Sequence, residues 1–433
     1  MMGLIRQWLK RIDVDAVAFS LVLLSFLAGN FEVGVASGFY GRLLTWVGLG
    51  LAASLAFSRN NRAPWAQLWI RKELSFIYLI LFFLWASILV ISLLWSRSPG
   101  FFGHQVEGFI LVFLGVIIAL TAWGKMTQRA RDGTLLFFGA AILLMVPISI
   151  LEGFDGANRI TFFDTGPNTY ARALAFSVII LTLLTPTKKD SKWLAATIFG
   201  VVGILFSGSR GVALALVVAL AAALVFYGTK VPSPRGAIKV SAQLLISWFG
   251  IIWCVLVLPG RFFRQESASD LNITEAASDL NITEAVWENR PLSYSSGRDE
   301  LFRTAWDLFL ASPVYGVGLN SFREASISNS LPEGTYVHNI VLATLAEGGA
   351  FSAIPLAGCL AVLVLASRRS WGSSQSLVLF SLTVFSFVHS LFSGDYYDAR
   401  FFWLFSTLLV FSSDQKNTAN WMRLPRPGPP RTG

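Results

Sequence analysis

Nine ionisable residues that could act on a phosphate-bearing substrate fall at one set of ends of this chain's apolar stretches. They are Arg159, Asp164, Arg172, Arg210, Arg298, His338, Glu347, Asp395 and Arg400. Few charges lie in the middles of those stretches, where burial in hydrocarbon is costly. Arginine presents a rigid fork of donors that fits phosphate oxygens two at a time, whereas lysine offers a point charge. Histidine can take a proton near neutral pH. These types together support the binding of an anionic, phosphate-bearing group beside a proton acceptor. An ion-coupled transporter would instead carry ionisable groups near the membrane midplane.

All three histidines, His104, His338 and His389, fall on this same side. For His104 and His389 a structural role is the preferred reading. His338 differs because it follows the ordered part of a long loop and opens an apolar stretch. There the positive end of a helix would keep its imidazole neutral, as a proton acceptor requires. Glu347 lies nine residues further on, half a turn out of phase, and so faces away from His338. The segment Ser207-Gly208-Ser209-Arg210-Gly211 joins two apolar stretches with almost no loop. It reads either as a tight turn with Arg210 snorkelling to lipid headgroups, or as a glycine-lined approach to a diphosphate that Arg210 grips.

The elements that must position these residues are membrane spans. Mean hydropathy is +0.61, with 14% charged residues, which excludes an ordinary soluble domain. Twelve apolar stretches can be marked, near residues 14–30, 38–57, 74–95, 107–123, 134–151, 169–185, 193–206, 211–228, 240–258, 338–366, 373–392 and 399–413. Each is about long enough to cross roughly 30 Å of hydrocarbon. All nine lysines fall on one side of this alternation, together with Arg6, Arg11, Arg129, Arg368 and further arginines. That side is cytoplasmic by the positive-inside rule, and both termini lie on it. The other side has arginine as its only basic residue other than histidine, and is net negative. The net charge of +9 thus records membrane orientation, not nucleic-acid binding. Trp95, Trp123, Trp193 and Trp371 fall at span ends, where interfacial indoles belong. Cys254 and Cys359 both sit inside spans, so neither a structural disulfide nor a metal-ligand spacing is present. The basic N-terminus followed by an apolar run reads as an uncleaved first helix.

The expected fold is an all-α polytopic membrane protein of about twelve transmembrane helices. Residues 1–259 hold spans one to nine, 260–337 form a large external loop, 338–413 hold spans ten to twelve, and 414–433 form a disordered cytoplasmic tail. Within the loop, ASDLNITEA occurs twice in tandem, at 268–276 and 277–285. A duplication tolerated in a flexible segment is the simplest account, and the resemblance of its Asn-Ile-Thr to a glycosylation acceptor is a weak signal. Beyond it the pattern is ordered. Ser295 and Ser296 can cap a helix beginning near Arg298, and Asp299 and Glu300 favour its positive end. Leu301, Phe302, Ala305, Leu308 and Phe309 form one face of this amphipathic helix, which is expected to lie along the outer membrane interface. Ser312-Pro313 ends it, and Tyr315-Gly316-Val317-Gly318 makes a turn.

Several of these segments, in this order, resemble the O-antigen ligase and polymerase superfamily, bacterial inner-membrane enzymes acting on undecaprenyl-diphosphate-linked glycans. They are Gly166-Pro167-Asn168, then Ser207 to Gly211, then Ser296-Gly297-Arg298 with Trp306. After them come Pro313, Gly316, Gly318 and Phe322, and last His338-Asn339 with Leu342, Leu345, Glu347 and Gly348. In such enzymes arginines are thought to hold the diphosphate leaving group while a histidine assists the acceptor hydroxyl. By motif the resemblance puts Arg210 and Arg298 in the first role and His338 in the second. Arg159, Asp164, Arg172, Asn339, Glu347 and Arg303 are secondary substrate-site candidates.

The resemblance implies a glycosyltransferase with a periplasmic active site, needing neither metal nor cofactor. The donor would be an undecaprenyl-diphosphate-linked glycan and the preferred acceptor lipid A–core oligosaccharide, which makes the leading expectation an O-antigen ligase. The rival is an O-antigen or exopolysaccharide polymerase, whose acceptor is a second lipid-linked glycan. A protein oligosaccharyltransferase ranks third, because the tail after the last span is short. A flippase or other transporter of lipid-linked glycans is the alternative from a different class. The oligomeric state stays open.

Overall fold

The computed structural model describes residues 13–28, 46–51, 53–54, 73–97, 102–152, 166–184, 191–228, 298–328, 336–370, 373–394, 396 and 398–422. All of its regular structure is helical. The helices are α1 (Val14–Ala28), α2 (Glu73–Ile91), α3 (Phe102–Lys125), α4 (Gln128–Leu143), α5 (Met145–Glu152), α6 (Pro167–Leu184) and α7 (Ser191–Phe206). They continue with α8 (Arg210–Gly228), α9 (Arg298–Ala311), α10 (Ser321–Ser328), α11 (Ile340–Arg369), α12 (Ser374–Ser390) and α13 (Arg400–Met422). A 3-10 turn, Ser92–Trp95, continues α2.

Among the described residues five helices are long and apolar enough to cross a membrane: Glu73–Trp95, Val106–Lys125, Gln128–Leu151, Pro167–Leu184 and Ile340–Arg369. Shorter apolar helices cover Val14–Leu27, Trp193–Phe206, Arg210–Phe226 and Ser374–Ser390. The chain is therefore an all-α, multi-pass membrane protein. The expected span at 240–258, most of that at 38–57, Cys254 and the duplicated nonapeptide lie outside the described residues.

Apolar side chains wrap most of these helices, and packing decides which faces meet. The helix α6 is the hub: Tyr170 to Leu183 is buried along its length, packed between α4, α7 and α12. The helix α13 closes the opposite side against α2, α3, α11 and α12. An aromatic stack joins α13 to α2, with Phe82 on Trp403 at 4.4 Å and Trp85 on Trp403 at 4.6 Å. At the end of the bundle where α2 starts, the backbone N–H and hydroxyl of Ser75 donate to Asp414 at 2.9 and 2.7 Å. Asp414 is buried and α13 runs on to Met422, so the tail expected from residue 414 begins as packed helix. Trp123 lies near the end of its span, as expected, and is wholly buried against Phe19, with Arg131 5.6 Å over its ring.

The helix α11 is broken. Gly349 takes φ 61° and ψ −161° in mid-helix, a conformation that favours glycine. A break at membrane depth strands backbone donors and acceptors unless protein satisfies them. Here the turn after α9 does so. Val317 N–H donates to Ala346 O and Gly318 N–H to Glu347 O, both at 2.9 Å. In return Ala350 N–H donates to Pro313 O at 2.9 Å and Phe351 N–H to Val314 O at 3.2 Å. The hydroxyl of Ser352 adds a bond to Thr344 O across the break.

The helix α9 begins at Arg298, as the sequence predicts, and Gly316 and Gly318 take the positive φ of the expected turn. Leu301 and Ala305 are buried, but against Phe322 of α10 and against Val337 and Ala346. The apolar face of the amphipathic helix is thus spent on protein. Trp306 and Leu310 remain exposed on its other side.

Candidate functional site

One end of the bundle gathers the starts of α6, α8, α9, α11 and α13 with the end of α12, and the candidate residues come with them. Arg172 lies in the second turn of α6 and is 3% exposed. Its Nη2 donates to Asp398 Oδ1 at 3.2 Å and its Nη1 reaches the Asp398 carbonyl at 3.5 Å. Arg400, at the start of α13 and fully buried, approaches the same Oδ1 at 3.5 Å. The Nε of Arg400 donates to Phe26 O at 2.9 Å. Two buried arginines therefore share one carboxylate. Breaking such a cluster by removing a partner costs about 3–5 kcal/mol, so this junction fixes the starts of α6 and α13 relative to each other.

His338 lies beside this junction. It precedes α11 in a left-handed backbone conformation, φ 57°, which is uncommon for a residue with a side chain and concentrates at functional positions. Asn339, not His338, caps the helix: its Oδ1 accepts from the N–H groups of Val341 and Leu342, both at 3.0 Å. Such a cap is worth about 1 kcal/mol. The side-chain oxygen of Asn339 is thereby engaged in capping the helix.

The imidazole of His338 is half-buried and packs on Tyr336 with ring centroids 4.0 Å apart. Burial pushes its pKa down to about 4; the Arg298 charge pushes the same way and Asp398 opposes it. The ring is neutral at neutral pH, and its Nδ1 is buried without a hydrogen-bond partner among the described residues. A neutral imidazole with an unengaged nitrogen can accept a proton. Neutrality is what the sequence leads one to expect, and desolvation with a neighbouring guanidinium favours it. Burial also lowers the pKa of Arg298, which is half-buried at the start of α9.

Other candidates are placed differently. Arg210 is exposed at the start of α8. Its turn is tied in by Ser209, whose hydroxyl donates to Asn168 Oδ1 at 2.5 Å, and by Gly211, whose Cα faces Phe392 at the end of α12. Glu347 is 5% exposed and accepts from the hydroxyl of Tyr396 at 3.1 Å, whose ring packs on Trp85 and Phe109. It points into the bundle core. Arg303 is exposed on the outer face of α9. Arg159 and Asp164 lie outside the described residues.

Sequence reasoning did not single out Asp398, although its carboxylate joins Arg172 to Arg400. The local signal was a charged pair, Asp398 and Arg400, wedged between two apolar spans. His389 was read as structural. It is 3% exposed and feels the charges of Arg172, Asp398 and Arg298.

Helices that cross a membrane, ending in a cluster of arginines, histidines and one carboxylate, define a membrane-embedded protein with a polar site at one end of its bundle. Residues 195–357 match the model of the O-antigen ligase family. The match supports a glycan-transfer enzyme acting on lipid-linked glycans. No curated protein matches the chain. The matched segment contains Arg210, Arg298, His338 and Glu347, while Arg172, His389, Asp398 and Arg400 lie outside it and fold against it.

Proposed function

We propose that the protein transfers a glycan from undecaprenyl diphosphate to a sugar hydroxyl of lipid A–core oligosaccharide, as an O-antigen ligase, at the periplasmic face of the bacterial inner membrane. In this reading about twelve helices span the membrane with both termini in the cytoplasm. The observation that carries the chemistry is a neutral, half-buried His338 set beside Arg298, in a segment that matches the ligase family. Arg298 and Arg210 hold the diphosphate. The acceptor hydroxyl attacks the anomeric carbon from the side opposite the diphosphate, so the configuration inverts. As the new C–O bond forms, the bond to the diphosphate oxygen breaks, and the hydroxyl proton passes to His338. Undecaprenyl diphosphate leaves with its negative charge stabilised by the arginines. Such a leaving group is already good, so positioning and electrostatic stabilisation carry most of the rate.

Bound diphosphate would also offset the Arg298 charge that His338 feels. The imidazole then becomes more basic when the donor is in place, which ties proton acceptance to a loaded site.

The test uses purified full-length protein in detergent, with lipid-linked glycan and either lipid A–core or no second acceptor. Glycan on lipid A–core is the expected product. Lengthened lipid-linked chains would make the protein a polymerase. No new glycosidic bond under conditions where the protein is folded would leave a flippase as the reading, because detergent abolishes the compartments that a flippase needs.

A further inference from the structure

Two nitrogen atoms in the site, Arg172 Nε and His389 Nε2, are buried without a hydrogen-bond partner among the described residues. The two side chains interact electrostatically, and each is 3% exposed. Asp398 occupies both terminal nitrogens of Arg172, leaving the Nε edge of the guanidinium unused. His389 stacks along Phe385, with centroids 6.0 Å apart, so its carbon faces are packed while one polar corner is not. A buried polar group left unsatisfied costs about 1–3 kcal/mol, and native structures retain few. The Nε of arginine can only donate, and imidazole Nε2 donates in one neutral tautomer and when protonated. A buried pair of such nitrogens beside the Arg172–Asp398–Arg400 cluster, with the charge of Arg298 also acting on His389, fits an anionic oxygen.

We propose that Arg172 Nε and His389 Nε2 together receive one phosphate oxygen of the donor diphosphate, extending the anion site inward from Arg298. This rests on the lipid diphosphate being the donor. Asp398 then acts as a positioning residue, presenting the free edge of Arg172 by holding its other two nitrogens. His389 touches the leaving group and takes no proton from the acceptor.

The experiment titrates full-length protein in detergent with inorganic pyrophosphate by calorimetry, and measures apparent Tm without ligand. His389→Phe keeps the ring's bulk beside Phe385 and removes its donor. Its unliganded Tm should match or exceed wild type, while pyrophosphate binds at least about tenfold more weakly, the loss expected for one buried charge-assisted bond. His389→Gln, which retains a donor, should bind with intermediate affinity and keep more transfer activity. If His389→Phe fails to insert, His389→Leu carries the same expectation. Wild-type pyrophosphate affinity in a folded His389→Phe or His389→Leu protein would return His389 to a packing role and overturn the inference alone. No pyrophosphate binding by the wild-type protein would remove the diphosphate reading, and this inference with it.

Discussion

The most exacting test of the architecture is a single methyl group at Gly316. That residue has φ +69°, and a Cβ there would stand 2.4 Å from both the C and O atoms of Glu347 and 2.5 Å from Gly348 N. All three are backbone atoms, so no side chain can swing aside. The left-handed conformation itself costs alanine about 1–2 kcal/mol. Relieving the clash means lifting the turn off α11, which breaks the bonds from Val317 N–H to Ala346 O and from Gly318 N–H to Glu347 O. Each is worth about 0.5–1.5 kcal/mol net, and more if its groups stay buried. Gly316→Ala should therefore destabilise the protein by roughly 2–5 kcal/mol, a large share of the ~5–15 kcal/mol typical of folded proteins. The loss should be local first, because the turn can undock without unfolding the spans. Hydrogen exchange should accelerate at 313–318 and at 346–351, apparent Tm should fall, and transfer should drop because α9 carries Arg298. Gly50→Ala, where nothing lies within 4 Å of the added methyl, is the silent control. Unchanged exchange and Tm in Gly316→Ala would refute the account of the helix break.

Acceptor activation predicts a particular pH profile. His338 must be neutral to accept a proton, and its pKa is held down to about 4; activity on free enzyme and substrate should stay level as pH falls from 7 and be lost only near 4. An acid limb near 6.5 in kcat/KM would refute the buried placement of His338, while a limb in kcat lying above that in kcat/KM is expected if bound diphosphate offsets Arg298. His338→Ala should keep donor binding and lose transfer by roughly 10²–10⁴-fold, the usual scale for a general base; near-normal single-turnover transfer would end its proposed role. Asp398→Asn leaves Arg172 and Arg400 without their carboxylate and should lower stability by about 3–5 kcal/mol, read as denaturant or thermal unfolding, with wild-type stability counting against the junction. Arginines are proposed to serve where a divalent cation often does, so transfer should persist in excess EDTA; a loss restored by Mg²⁺ or Mn²⁺ would point to a missed carboxylate site.

The spans were legible because uninterrupted apolar windows leave a helix few places to go except hydrocarbon or a buried core. The start of α9 was legible from Arg298 with Asp299 and Glu300 behind it, and the turn at Gly316 and Gly318 from glycine spacing. What those glycines contact was not. Gly349 sits within a stretch that reads as one continuous helix, and hydropathy carries no information about φ. Only the long-range pairing of 313–318 with 346–351 explains why the helix breaks there. The same limit hid Asp398, because its partner Arg172 lies 226 residues away. The unpaired nitrogen of His389 was hidden for a related reason. A histidine near a span end is ordinarily satisfied locally, and its unsatisfied nitrogen appears only once its neighbours are placed.

The two halves of the site are fixed by different physical means, and this bears on how it could work. Arg172, Asp398 and Arg400 form a desolvated ion cluster between bundle helices, with nearby aromatic packing from Phe82, Trp85 and Trp403. Such a cluster strongly resists the removal of any one member. Arg298 and His338 instead ride on α9 and the first half of α11, which are held to the bundle by the broken-helix turn, by the Glu347–Tyr396 and Trp85–Thr344 bonds, and by Ser92 and Ser96 at Leu319. Backbone hydrogen bonds at the edge of a bundle open more readily than its core. A donor diphosphate held between the two halves would bridge them, gaining contacts from both only when α9 is docked. Binding energy from the diphosphate, remote from the sugar being transferred, would then be used to set His338 against the acceptor.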